Sequence, residues 1–165
     1  MANAKKSKAA EAGQDGDRIL SLALLASFVG LIAGVIGALF RLALERADAF
    51  RDTVISWAHG QHFLGFIIVV AACMAATATA AWMVRRIAPV AAGSGIPHVE
   101  AVLEGEIAPA PLSLLPVKFI GGVLAIGSGL ALGREGPSIQ MAASVATIVG
   151  RSFRRTRADC RELIA

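Results

Sequence analysis

Residues 19–40 read ILSLALLASFVGLIAGVIGALF, a run of 22 residues without a charge. At about 1.5 Å of rise per helical residue, such a run reaches roughly 33 Å, which matches a bilayer hydrocarbon core of about 30 Å. Residues 63–84 form a second uncharged run, and residues 107–132 form a third that carries only Lys118. Hydrophobic residues make up 56% of the 165 residues and charged residues 17%. The sequence therefore predicts an all-α, multi-pass integral membrane protein.

Basic residues are concentrated at three places in the chain. They precede the first run, close the second and follow the last apolar segment: Lys5, Lys6, Lys8 and Arg18, then Arg85 and Arg86, then Arg151, Arg154, Arg155 and Arg157. The connection over residues 41–62 is balanced between Arg and acidic residues. Because basic loops mark the cytoplasmic side, we expect a cytoplasmic N-terminus, an outer connection and a cytoplasmic Arg-rich end. Membrane topology thus explains the net charge of +4, and we expect no nucleic-acid partner.

The chain divides into a tail and a membrane domain. Residues 1–17 are rich in Ala, Lys, Gly and Asp, which predicts a disordered cytoplasmic tail. Residues 18–165 form the predicted membrane domain. The first run is not a cleaved signal, because it continues into residues 41–45 without a small-residue cleavage site. Cys73 and Cys160 have no metal-site spacing, and we expect neither a disulfide nor a metal.

Two apolar segments are too short to cross a bilayer. Residues 90–103 are broken by glycine and proline, and the 15 uncharged residues 136–150 would reach about 22 Å as a helix. Between them we predict a long helix over residues 112–132, and after them a further helix begins near Arg157. Short apolar segments interrupted by Gly or Pro point to the binding site of a transporter. Irregular backbone at membrane depth must be buried in protein or line a cavity.

Two junctions share the pattern Gly-x-x-x-Pro: Gly93-Ser94-Gly95-Ile96-Pro97 and Gly133-Arg134-Glu135-Gly136-Pro137. Proline is favoured in the first helical turn, and glycine lets the preceding backbone adopt unusual conformations. Each junction therefore predicts a helix that begins inside the membrane. Unpaired N–H groups at such a helix start bind anions, so two converging starts would hold a small anion.

The junctions also supply a hydroxyl and a carboxylate. Ser94 adds a hydroxyl donor. The Glu135 carboxylate can compete with an anion for the same N–H groups, and it loses that attraction when it is protonated. It could therefore act as a gate and as a proton carrier. The alternative is that both residues are ordinary helix N-caps.

These two motifs, in this order and spacing, resemble the N-terminal signatures of the CLC chloride channels and proton/chloride antiporters. The segment Leu115-Pro116-Val117-Lys118-Phe119 resembles the family's next helix. The resemblance covers residues 18–165 and is closest to the prokaryotic antiporters. It implies the N-terminal half of an inverted-repeat fold with tilted and broken helices. It also implies chloride as substrate, protons as coupling ion, no cofactor, no enzymatic activity, a homodimer and a bacterial inner membrane.

The resemblance assigns roles by motif. Ser94 would coordinate chloride through its hydroxyl, with the backbone of Gly95 and Ile96 lining the same site. Glu135 would be the gate at the outer anion site. Arg134, Gly136 and Pro137 would position it, and the backbone N–H groups after Glu135, starting at Gly136, would face the anion path. Glu100 and Lys118 would either shape the potential along the path or form a buried ion pair.

The resemblance leaves other functions open. The family's later anion ligands and its internal proton-relay glutamate are expected beyond Ala165, so a passive channel and a non-transporting truncated fragment remain alternatives. Ala92-Gly93-Ser94-Gly95 nearly matches the signature of intramembrane serine proteases, although Ala92 departs from it and the other long runs contain no histidine base. Neither glycine-rich loop carries the Gly-Lys-Ser/Thr ending of a nucleotide-binding loop.

Overall fold

The computed structural model describes the backbone of residues 2–164 and the side chains of residues 18–61 and 63–164. Over this range the chain is helical, with no strand. The α-helices are α1 (Ala2–His59), α2 (His62–Arg86), α3 (Ile96–Glu104), α4 (Leu114–Gly127), α5 (Glu135–Ser152) and α6 (Arg157–Ile164), and a 3₁₀ turn spans Pro89–Ala91. The all-α prediction is confirmed. The predicted disorder of residues 1–17 stays a prediction, because their side chains lie outside the described residues.

Among the described residues, two helices are long and apolar enough to span a membrane: residues 18–59 of α1, with 42 residues, and residues 63–86 of α2, with 24. In each, only 11% of the most apolar window is buried within the chain. The first would be about 63 Å long, twice the hydrocarbon thickness. It can therefore cross the core only at a steep tilt or with part of its length outside.

Residues 41–62, expected to connect the first two spans on the outer side, are mostly helical, and their side of the membrane stays a prediction. The helix α1 continues to His59, and only Gly60 and Gln61 separate it from α2. Ion pairs one turn apart, such as Arg41 with Glu45 at 3.1 Å, support this charged part of the helix. At the turn, a Cβ built on Gly65 would lie 2.8 Å from the Cα of Ala58, so α1 and α2 approach backbone to backbone.

The predicted helix over residues 112–132 is shorter in the structure. The helix α4 spans Leu114–Gly127, which is about 21 Å. Gly129 ends it in the left-handed region with φ +101. The N–H of Leu130 then donates to the carbonyl of Ala125 at 3.2 Å, and that of Gly129 to Ile126 at 2.9 Å. These two bonds are those of a Schellman motif, which satisfies the last helical carbonyls and turns the chain away.

The core lies where α1 packs against α4 and α5. Leu25 and Val29 of α1 meet Val145, Ala146 and Val149 of α5. Further along α1, Phe40 and Leu44 pack with Ile126 of α4 and Met141 of α5. A third cluster joins Ala88 and Ala91 to Leu114 and Val117. These contacts pack α5 against α1 and the turn before α3 against α4.

The N-terminal end of the first span is tied to α6 by an ion pair. The Nη2 atom of Arg18 lies 2.6 Å from Oδ1 of Asp159, whose side chain is 6% exposed. The other carboxylate oxygen of Asp159 accepts a hydrogen bond from the N–H of Thr156 at 3.2 Å. The hydrogen bond from Arg18, followed by that from Thr156, holds the pKa of the Asp159 carboxyl below its usual range.

We expect Asp159→Asn to destabilise the intact protein at neutral pH and to have little effect in acid. A lowered pKa contributes stability that is present above the unfolded value of about 3.9 and is lost as the pH falls through the folded value. Thermal unfolding of wild type and variant from pH 7 to pH 3 measures this. The two melting temperatures should converge below about pH 4, and a gap that does not change with pH would contradict the account.

Candidate functional site

The first Gly-x-x-x-Pro motif begins α3 as predicted. The helix starts at Ile96, and Pro97 occupies its first turn. Gly93 and Gly95 have φ of +70 and +84, in the left-handed region that glycine adopts without strain. Ser94 is exposed, and its hydroxyl makes no hydrogen bond to any side chain or backbone group that the structure describes.

The second motif begins α5 in the same way, with Glu135 as its first residue and Pro137 in its first turn. The N-cap residues of α3 and α5 are Gly95 and Arg134, and neither helix has a side-chain cap. The alternative that Ser94 and Glu135 are ordinary N-caps is therefore wrong.

The two helix starts touch at Gly136 and Ser94. A Cβ built on Gly136 would lie 2.5 Å from the backbone oxygen of Ser94 and 3.0 Å from its Cα. These are distances that only glycine tolerates. The second motif therefore lies directly on the first, although forty residues separate them in the chain.

An open cavity of about 540 Å³ lies beside this contact. Ser94, Gly136, Pro137 and Lys118 line it. The remaining wall is mostly small and apolar residues of α2 and α4, joined by Arg85. The other predicted site residues do not line it: Gly95, Ile96, Glu100, Arg134 and Glu135. The structure thus brings together the Ser94 hydroxyl, the start of α5 and the buried ammonium of Lys118.

Lys118 holds the segment that carries Ser94. Its side chain is 5% exposed, and its Nζ donates to the carbonyls of Ala91 at 3.0 Å and Gly93 at 2.7 Å. Glu100 is exposed, and no ion pair joins it to Lys118. The alternative of a buried ion pair between Glu100 and Lys118 is therefore wrong. Backbone carbonyls accept the hydrogen bonds of the Lys118 ammonium, and these bonds fix the turn before α3.

The gate candidate stands at an exposed helix start. Arg134 donates from Nη2 to Oδ2 of Asp48 at 3.1 Å, and Asp48 also accepts from Arg51 at 3.0 Å. This anchors the start of α5 to α1. The Glu135 carboxylate makes no ion pair or side-chain hydrogen bond within the described part of the chain. Arg134 is therefore fixed, whereas the Glu135 carboxylate has no side-chain partner within the described part of the chain.

Sequence reasoning missed Gln140 and Asp48. Gln140 is 1% exposed, its Nε2 donates to the carbonyl of Val90 at 3.0 Å, and its side chain contacts Gly95. It therefore braces α5 against the turn before α3. Gln140 could have been identified from the sequence, because it is the one amide side chain within the uncharged residues 136–150. The Asp48 contact had no sequence signal, because its partner lies 86 residues away.

Among the described side chains, no serine-protease site forms around Ser94. Nucleophilic catalysis needs a base within hydrogen-bond reach of the hydroxyl. No histidine side chain that the structure describes hydrogen-bonds Ser94. His98 follows on α3, and its Nε2 is buried without a partner.

Comparison with known proteins gives consistent matches. A family described as Voltage gated chloride channel matches residues 76–165. The H(+)/Cl(-) exchange transporter ClcA of Vibrio vulnificus strain YJ016 is 36% identical over 149 residues, covering 88% of this chain and 31% of that protein. The ClcA of Cronobacter sakazakii is also 36% identical, over 146 residues, with the same coverage.

A solved structure agrees with these sequence matches. A slow cyanobacterial Cl-/H+ antiporter superposes with a TM-score of 0.81 at 35% identity, over 86% of this chain and 33% of that one. The chain thus spans about a third of the length of the relatives it matches. The relatives are ion transporters and not enzymes. Since the family match covers more than half of the chain, the protein belongs to the Voltage gated chloride channel family, the CLC family.

Proposed function

We propose that this chain supplies part of the anion pathway of a proton-coupled chloride transporter, with Ser94 as an anion ligand and Glu135 as the gate and proton carrier. The observation that carries the proposal is the contact between Gly136 and the backbone of Ser94. It places the starts of two membrane-embedded helices against each other. The relatives named as H(+)/Cl(-) exchangers support the choice of chloride and protons.

The arrangement can hold an anion without a salt bridge. The first N–H groups of α3 and α5 lack helical acceptors and carry partial positive charge. Gly95 and Ile96 contribute the backbone at the start of α3, and Gly136 contributes that at the start of α5. The Ser94 hydroxyl, which makes no hydrogen bond within the described chain, adds a free donor. Lys118 adds positive potential and keeps the Ser94 segment in place through Ala91 and Gly93.

Glu135 would gate this site by competition. Its carboxylate, ionised, is attracted to the same N–H groups at the start of α5 as an anion would be. Protonation removes that attraction, so the side chain leaves and an anion enters. The Arg134 contact with Asp48 supports this role because it fixes the helix start while Glu135 itself remains unconstrained.

The remaining proposals concern the protein's setting. We propose a multi-pass protein of the bacterial inner membrane with a cytoplasmic N-terminus, a tail over residues 1–17 and a membrane domain over residues 18–165. The contact of Arg18 with Asp159 supports this orientation, because it brings Arg18, at the start of the first span, to the same end as the Arg-rich segment. We further propose that the intact protein forms a homodimer surrounded by lipid.

We expect Ser94→Ala in the intact protein to weaken chloride binding by about two- to tenfold, the equivalent of one neutral hydrogen bond. Isothermal titration of chloride into the purified protein measures this. Ser27→Ala is the matched control, since its hydroxyl bonds only the carbonyl of Ala23 in its own helix. Unchanged affinity in Ser94→Ala, or an equal loss in both variants, would exclude Ser94 as a ligand.

A further inference from the structure

A second cavity, of about 460 Å³, lies between the C-terminal end of α5, the loop after α3 and α6. Four arginines line it: Arg151, Arg155, Arg157 and Arg161. Glu106 is the one acidic residue on its wall. The cavity shares no lining residue with the cavity beside Ser94. Its excess of positive charge is therefore separate from the proposed chloride pathway.

The arginines lack partners within the described chain. None of the four makes an ion pair or a side-chain hydrogen bond to a described residue. Both acids on α6 lie near Arg18: Asp159 accepts hydrogen bonds from Arg18 and from the N–H of Thr156, and Glu162 lies 4.0 Å from Nη2 of Arg18. The Nε of Arg155 is buried without any acceptor. A buried donor in this state is destabilising unless a ligand supplies the acceptor.

Close backbone packing shapes the walls of this cavity. Gly105 has φ +84, and a Cβ built on it would lie 2.7 Å from Nη2 of Arg161, so the guanidinium rests directly on this glycine. A Cβ on Gly150 would lie 2.6 Å from Sγ of Cys160, so α6 packs closely on α5. Arg154, with φ +52, turns the chain so that the N–H of Arg155 donates to Gly150 at 2.9 Å.

Within the described chain, like charges lie close together around this cavity. Arg157 and Arg161 lie four residues apart on one face of α6, where like charges repel. Arg157 also stands in the first turn of α6, where the helix dipole favours negative charge. Membrane topology requires basic residues on one side, and Arg86 meets that need without lining this cavity. It does not require four arginines to converge on one cavity.

We propose that this cavity binds a phosphate-bearing anion of the phosphomonoester type. The planar guanidinium group matches phosphate oxygens in a bidentate manner. A phosphomonoester carries a charge of about −1.5 to −2, which offsets about half to two-thirds of the net charge of the four arginines and Glu106. Chloride, with one charge, would leave most of the donors unused. The volume falls in the range of small-ligand cavities. A phospholipid headgroup and free phosphate both present this chemistry.

The test is isothermal titration calorimetry, with dioctanoyl phosphatidic acid titrated into the intact protein in a neutral detergent. We expect saturable binding, weakened about tenfold or more by Arg155→Gln and by Arg161→Gln, since each removes charge-assisted hydrogen bonds. Arg86→Gln is the matched control, because it removes the same charge outside the cavity, and it should bind like wild type. Dioctanoyl phosphatidylcholine, which lacks the phosphomonoester, should bind more weakly.

Two further measurements make the outcome decisive. Inorganic phosphate as competitor separates the sources: displacement of phosphatidic acid identifies the phosphate group alone as the ligand, and persistence of binding identifies the lipid. Arg157→Gln should raise the melting temperature of the unliganded protein, because it removes a cation from the first turn of α6. The same variant should bind phosphatidic acid more weakly than wild type. Equal affinity for phosphatidic acid and phosphatidylcholine, or an equal loss in Arg86→Gln, would overturn the proposal.

Discussion

Glu135→Gln is expected to abolish proton movement and the pH dependence of chloride flux in the intact protein. Glutamine resembles the protonated carboxyl in size and charge, so it neither competes with an anion for the helix start nor carries a proton. Chloride should therefore move passively at a rate that no longer changes with pH. The measurement is simultaneous recording of chloride and proton flux from proteoliposomes, with an imposed chloride gradient, at several pH values.

Glu45→Gln is the control for this experiment. Glu45 is an exposed acid on α1 that pairs with Arg41, so its replacement should leave both fluxes as in wild type. Retained proton coupling in Glu135→Gln would contradict the gate assignment. A wild-type protein that moves chloride with no protons would instead identify a passive channel and would contradict the proposed coupling.

Among variants that add a single methyl group, Gly136→Ala is expected to cause the largest loss of chloride affinity. The new Cβ would lie 2.5 Å from the backbone oxygen of Ser94 and 3.0 Å from its Cα. Because the obstacle is backbone, the starts of α3 and α5 must separate. Overpacking of this kind costs about 1–3 kcal/mol, and the displaced helix starts should reduce chloride affinity about tenfold or more. Chloride titration, together with the melting temperature, measures both effects.

Gly133→Ala is the matched control, since it adds the same methyl group to the same motif. A Cβ built on Gly133 meets nothing within 4 Å. This variant should therefore keep its chloride affinity. Equal losses in Gly133→Ala and Gly136→Ala would show that the close contact between the motifs is not what forms the site.

The helix starts could be predicted from sequence because their signals are local. Glycine before the helix and proline in its first turn act on the backbone that carries them, and α3 and α5 begin at Ile96 and Glu135. The continuation of α1 as far as His59 was not predicted, because the charged residues there were assigned to a connection between the spans. Pairs such as Arg41 with Glu45 are compatible with a helix that hydropathy cannot reveal.

Contacts between distant segments could not be predicted. The end of α4 depends on the left-handed conformation of Gly129, in a run with several other glycines. Lys118 was identified from the family resemblance, but its partners are backbone carbonyls, which have no sequence signature. From the arginines at the end of α5 and after it, the sequence predicted only the membrane topology. Their convergence on one cavity depends on the close packing of α6 against Gly150.

The most direct test of the central claim is bromide substitution in crystals of the intact protein, with anomalous diffraction locating the anion. We predict an anomalous peak between the starts of α3 and α5, within hydrogen-bond distance of the Ser94 hydroxyl. In Glu135→Gln we predict a further peak at the start of α5, where the carboxylate no longer competes. Bromide bound only elsewhere, or an unchanged pattern in Glu135→Gln, would contradict the account.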